Sequence, residues 1–149
     1  MILYELFPHW ETRTNRILKS LENRTPYELD FKFRSNMRSL GNLYRHIISA
    51  EIFWMEDVVA GRGQMFSEID EKEFSNAKSI SDKWRSVRNR SQKIVKPFSL
   101  SDLKKTFQNP RKKSFDLNYI LWHVVEHEIH HSGQISAMLR AQNLPSPIN

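Results

Sequence analysis

The sequence has no cysteine and only four glycines in 149 residues. The missing thiol excludes disulfides, thiolate metal sites and any protein sulfur nucleophile. The scarcity of glycine, with Leu and Ile scattered through long periodic segments, favours an all-α chain. No apolar run is long enough to cross a membrane. The opening residues, MILYELFPHW, lack the basic n-region and unbroken apolar core of a signal peptide, so the expected location is cytoplasmic. A net charge of +6 and a pI near 9.7 invite a nucleic-acid reading. However, Lys and Arg are dispersed among 17 acidic residues and no nucleic-acid motif is present. A solvated basic surface is the better account, with neither nucleic acid nor membrane as partner. The length is that of one domain, residues 1–149, with room for a proper core.

The most informative stretch is Asp116–Arg140, which carries four of the six histidines: His123, His127, His130 and His131. Its apolar residues recur at helical spacing, Asp116 is a cap, and Asn143 with Pro145 ends it. At about 100° per residue, His123, His127 and His131 lie along one stripe, with His130 and Gln134 in the same arc. The helix is apolar nearly all round, so the stripe is expected to face the interior. Residues i and i+4 are neighbours on a helix, and the imidazoles of His127 and His131 can reach one ion. His127–His131 also matches the zinc-protease pattern H-E-x-x-H. That reading fails because no further ligand follows at a suitable distance, so a third ligand has to come from upstream.

The chain divides into four long amphipathic segments, near residues 2–22, 40–60, 80–96 and 117–142. Pro8 bends or starts the first. Thr25-Pro26-Tyr27-Glu28 is a capping box opening a short turn. Ser39 caps the second long helix, whose inner face is Leu43, Ile47, Ala50 and Trp54, and Gly61 stops it. His46 sits on that face and becomes the third ligand beside the later pair. Residues 61–78 are a polar connection. Ser79 starts the third helix, with Trp84, Val87, Ile94 and Val95 inside and Lys83, Arg85, Arg88, Arg90 and Lys93 outside. Thr106-Phe107-Gln108 and Lys113-Ser114-Phe115 form a small hairpin turning at Asn109-Pro110. The result is a four-helix bundle, and its two long connections argue against simple up-down-up-down order. Only Glu128 and His131 supply a Glu-x-x-His spacing, so a di-iron carboxylate site is not expected.

The last helix, YILWHVVEHEIHHSGQISAMLR, and the second, GNLYRHIISAEIFWM, resemble the DinB/YfiT-like family of metal-dependent bundles, and the likeness extends over essentially the whole chain. The resemblance implies one divalent metal (Zn, Ni, Fe or Mn) on His46, His127 and His131. His123 and His130 then become neighbours of the site, with Gln134 beside them. The family often has Arg where this chain has Ser132, which removes any substrate contact that the Arg would make. Members of the wider group include transferases and isomerases that use a low-molecular-weight thiol such as bacillithiol, mycothiol or glutathione.

Three neutral imidazoles leave open coordination positions, as in catalytic zinc sites, and protons are expected to displace the metal as the pH falls through about 6. The expected activity is therefore a metal-dependent transfer of a small thiol to a small-molecule electrophile, with the anionic thiol held by Arg45, Arg111, Lys112 and Lys113. Two alternatives stand beside it. One is hydrolysis by metal-activated water with Glu128 or Glu126 as base, and the other is a metal-binding protein without catalysis. A homodimer is compatible with all three.

Overall fold

The structure, a computed structural model, describes residues 2–147. Proline splits the first segment into two helices, α1 (Ile2–Leu6) and α2 (Trp10–Leu21), because Pro8 has no amide hydrogen to continue the ladder. The capping box at Thr25 opens α3 (Pro26–Leu29): Thr25 Oγ1 accepts from the Glu28 amide, and the Glu28 carboxylate accepts from the Thr25 amide. Ser39 caps α4 (Leu40–Ile52), its hydroxyl accepting from the Asn42 amide. The helix then continues in another form. Over Phe53–Val59 it widens to π pitch, and the Ala60 amide donates to the Met55 carbonyl five residues back. Gly61 follows at φ 78°, a conformation that suits a residue without Cβ.

The third long helix, α5 (Ala77–Val95), begins earlier than expected. Asn76 is its cap, and Ser79 is the reciprocal partner one turn on. The hairpin pairs β1 (Thr106–Gln108) with β2 (Ser114–Asp116), placing Phe107 opposite Phe115. Asp116 ends that strand and caps α6 (Leu117–Ala141), accepting from the Tyr119 amide. Asn143, at φ 58°, closes the helix in the left-handed conformation. Among the described residues, no helix is long and apolar enough to cross a membrane.

The four long segments, α1–α2, α4, α5 and α6, form a four-helix bundle in which α4 packs on both α5 and α6. Its core has two apolar halves. One gathers Leu21, Leu40, Ile48, Ile80, Trp84 and Ile135. The other gathers Ile2, Trp54, Met55, Val95, Leu117 and Leu121. Each long segment carries a buried polar residue between its contributions to the two: Thr14, Glu51, Arg88 and Glu128. Arg88, expected on a solvated face, is the hub of this layer. It grips Glu51 with Nε (2.8 Å) and Nη2 (3.0 Å), reaches Glu128 Oε2 with Nη2 (2.7 Å), and donates to Thr14 Oγ1 through Nη1 (2.9 Å). Its guanidinium lies 3.8 Å from the Trp10 ring centre, and Trp10 Nε1 donates to Glu128 Oε2 at 2.9 Å. Burial disfavours the Arg88 charge, but the two carboxylates outweigh it and hold the group above its ordinary pKa.

Candidate metal centre

Helix α4 presents His46 two turns beyond its cap, and α6 presents His127 and His131 one turn apart. Packing of α4 on α6 brings the three rings together. His127 Nε2 lies 3.1 Å from His46 Nε2 and 3.1 Å from His131 Nε2. One ring nitrogen from each lies within 4.8 Å of the others, a set that could hold a metal ion. Zinc–imidazole bonds of about 2.0–2.1 Å separate tetrahedral nitrogens by roughly 3.3–3.4 Å, a few tenths beyond the two separations from His127.

The opposite ring nitrogens decide what the centre can accept. His46 Nδ1 donates to Glu68 Oε1 at 2.6 Å, since a carboxylate can only accept, and His131 Nδ1 donates to Gln134 Oε1 at 2.6 Å. A neutral imidazole with its proton on Nδ1 has a bare lone pair on Nε2. His46 and His131 therefore both aim lone pairs at His127, whose own Nε2 has one proton at most. One proton cannot serve both neighbours, whereas a cation among the three nitrogens satisfies all of them. The donor set fits a divalent metal.

Electrostatics agree with neutral ligands. Burial pushes His127 down to about 3, and the neighbouring histidines, His131 foremost, push the same way. Burial also lowers His131, against the opposing bond to Gln134. For Glu68, burial raises the pKa, but the hydrogen bond and charge of His46 outweigh it, so the carboxyl sits below its usual value.

The remaining expected residues are placed unevenly. The stripe lies along an edge of the bundle instead of its interior: His123 and His127 are half-buried, His130 exposed and His131 buried. Helix α6 also leaves Trp122 and Ile129 to solvent. His123 stacks on Tyr119 at 5.6 Å, meets Trp54 edge-on at 5.1 Å and stands 6.0 Å from the His127 ring, an aromatic wall to the site. The His130 ring is 4.9 Å from His131. Gln134, in the same arc, is a direct hydrogen-bond partner of His131.

Glu128 is not placed to serve as a base. It lies about 100° around the helix from His127, and its oxygens are taken by Arg88, Trp10 and Thr14. Glu126 is exposed on the outer face. Arg45 is buried and donates to the Phe74 carbonyl at 2.9 Å and to Asn42 Oδ1 at 3.1 Å, so it cannot meet a ligand. Glu68 is the partner that sequence reasoning missed. Lys113 lies over the Phe115 ring at 5.3 Å. Arg111 lines a cavity of about 330 Å³ with Phe53, Met65, Phe66 and Pro110. The Phe66 ring there is 6.1 Å from that of His46.

Comparison with known proteins agrees with the geometry, for the sequence matches the DinB superfamily over residues 9–135. The chain belongs to the DinB superfamily. A DinB-like protein from Bacillus cereus has the same fold, with a TM-score of 0.76 at 20% identity, covering 94% of this chain and 92% of that one. The DinB-like protein YjoA from Bacillus subtilis gives a TM-score of 0.71 at 15% identity over 93% of this chain and 92% of its own. YfiT from Bacillus subtilis, described as a probable metal-dependent hydrolase with an unusual four-helix bundle topology, gives 0.71 at 15% identity. That match covers 96% of this chain and 89% of YfiT. None of the curated proteins matches the sequence.

Proposed function

We propose that this DinB superfamily chain binds one divalent cation through His46, His127 and His131 and transfers a low-molecular-weight thiol to a small electrophile. The observation that carries the metal assignment is the pair of Nδ1 hydrogen bonds, to Glu68 and Gln134, which leaves two lone pairs converging on a third nitrogen. When bound, the ion supplies a Lewis acid that lowers the pKa of a coordinated thiol or water. A chain without cysteine has to borrow its sulfur, and a thiol arriving as cosubstrate supplies it. The protein's own residues would then orient and select. Glu68 and Gln134 fix ring orientation, Phe53 and Phe66 exclude water from one side, and Arg111 offers a charge for an anionic thiol.

Hydrolysis is the second reading, favoured by the description of YfiT. It asks more of the site, because Glu128 is committed to Arg88 and Glu68 to His46. Metal content of His46→Ala, His127→Ala and His131→Ala proteins tests the centre, with melting temperature followed with and without chelator. Each variant is expected to lose the metal. Chelator should remove about 4 kcal/mol of stability where the ion is at a thousandfold excess over its dissociation constant. Stoichiometric metal in all three variants would move the centre elsewhere. For the chemistry, metal-loaded protein is incubated with bacillithiol or glutathione and a panel of electrophiles. No acceleration of conjugation, alongside ester or amide cleavage, would assign the hydrolase.

A further inference from the structure

A second concavity adjoins the three histidines through Gln134 and Arg38. It has a volume of about 590 Å³, within the range of small-molecule sites, and its wall is made by Phe33, Met37, Leu43, Ala137 and Met138. Phe33 and Met37 are exposed there despite their size. Only a few polar groups interrupt this surface, and two of them lead to the ligands. Gln134 lines the cavity while its Oε1 holds His131 Nδ1. Arg38 also lines it, and touches Glu68 Oε1 at 3.4 Å, the same oxygen that holds His46 Nδ1 at 2.6 Å. Arg38 and Gln134 thus mark the end nearest the three histidines, and Met138, one turn beyond Gln134, lies farther along.

A guanidinium at one end of an apolar trough selects for charge as well as shape. The Arg38 side chain is half exposed, and among the described residues its long contact to Glu68 uses one donor of a fork that has five. Carboxylates are the planar groups that fork fits best. An aliphatic chain against Phe33, Met37 and Met138 would remove apolar surface on both partners from water.

We propose that this cavity binds an amphipathic organic anion, a medium-chain aliphatic carboxylate, with its carboxylate at Arg38 beside the metal centre and its chain running toward Met138. Its identity as the organic substrate rests on the functional reading above. Its binding does not, and the two are tested separately.

Calorimetric titration with octanoate, hexanoate and octan-1-ol, on metal-loaded and on chelator-treated protein, reads binding. Each buried methylene contributes about 0.8 kcal/mol, so octanoate, two methylenes longer, should bind roughly fifteenfold more tightly than hexanoate. Arg38→Gln should weaken octanoate by about tenfold, as expected for a charge-assisted contact, and leave octan-1-ol unchanged. Ala137→Glu, at an exposed helix position, should abolish octanoate binding without unfolding the bundle. Orientation is read from proton relaxation of bound octanoate with manganese(II) as the ion, which should broaden the α-methylene more than the terminal methyl. No octanoate binding at millimolar concentration, or equal binding by both variants, overturns the cavity assignment. Relaxation strongest at the methyl end overturns the orientation. Protein that takes up none of zinc, nickel, iron or manganese but still binds octanoate in preference to hexanoate overturns the metal reading and leaves the cavity standing.

Discussion

Replacing Arg88 by Met tests whether the ionic layer between the two apolar halves holds the bundle together. Arg88→Met keeps most of the side-chain volume and removes the one cation, among the described residues, that touches Glu51 and Glu128, carboxylates with side chains 1% and 3% exposed. Breaking a buried pair by removing one partner costs about 3–5 kcal/mol, because a charge is left without compensation. Here one guanidinium serves two carboxylates, which argues for the upper part of that range. Protonation limits the loss. Burial already pushes the Glu128 carboxyl upward, with Arg88 opposing, and without Arg88 it would take up a proton more readily. At about 2–4 °C per kcal/mol for a chain of this size, the melting temperature should fall by roughly 6–20 °C. Thermal and urea unfolding of metal-free protein provide the measurement. A variant melting within about 2 °C of the wild type would refute the reasoning.

Glu128→Gln separates structure from chemistry at the same place. The amide oxygen can still accept from Arg88 and Trp10, and its nitrogen can donate to Thr14 Oγ1, so a loss of about 1–2 kcal/mol is expected. Metal should remain stoichiometric and turnover nearly unchanged. A fall in turnover of about a hundredfold, with fold and metal intact, is the signature of a lost general base. It would return Glu128 to catalysis.

Further outcomes follow from the ligand partners. Glu68→Ala and Gln134→Ala should each weaken metal affinity by about 10–100-fold, measured by competition with a chromogenic chelator, and an unchanged affinity in both would remove their orienting role. His123→Ala should weaken it modestly, since that ring supports the site through Tyr119 and Trp54. Complete loss of metal would instead make His123 a ligand. The fold holds His127 near 3, whereas an unfolded chain titrates His near 6.5. In that window the unfolded state binds a proton that the folded state refuses, so metal-free stability should decline as the pH falls below about 6.5 and level off near 3. His127→Gln should flatten this slope. The same depression should carry metal release below the pH of about 6 expected for ordinary imidazoles.

The histidine pair and the helix caps are legible in the sequence because both are local. His127 and His131 need only helical spacing, and Thr25, Ser39 and Asp116 each act within one turn. His46 is legible at one remove, as a polar residue on an apolar face. Glu68 is not. It lies in the polar connection of residues 61–78, whose path is set by contacts such as Ser49 Oγ accepting from the Ile69 amide. Arg88 misleads for a related reason. With Arg85, Arg90 and Lys93 nearby it reads as solvated, and only Glu51 and Glu128, 37 and 40 residues away, make its burial tolerable. The π-helical segment is equally hidden, since nothing in Phe53–Val59 distinguishes it from an ordinary turn of helix.

The ionic layer and the three-histidine cluster are mechanically one arrangement. Glu128 follows His127 on α6, so a grip on one side chain sets the rotation of the other about the helix axis. Arg88 holds Glu128 and also holds Glu51, five residues beyond His46 on α4. Both helices that carry the three histidines are therefore clamped to α5 through one guanidinium. A rotation of α6 by a few tens of degrees would separate His127 and His131 from His46, yet it would also pull Glu128 from Arg88, Trp10 and Thr14 at once. An apolar layer at that level would pack as tightly but resist small rotations less, because hydrophobic contact is non-directional. Bidentate and charge-assisted hydrogen bonds are directional. The buried charges thus serve the position of the three nitrogens as well as stability, as expected where a site has to hold its geometry before any ligand arrives.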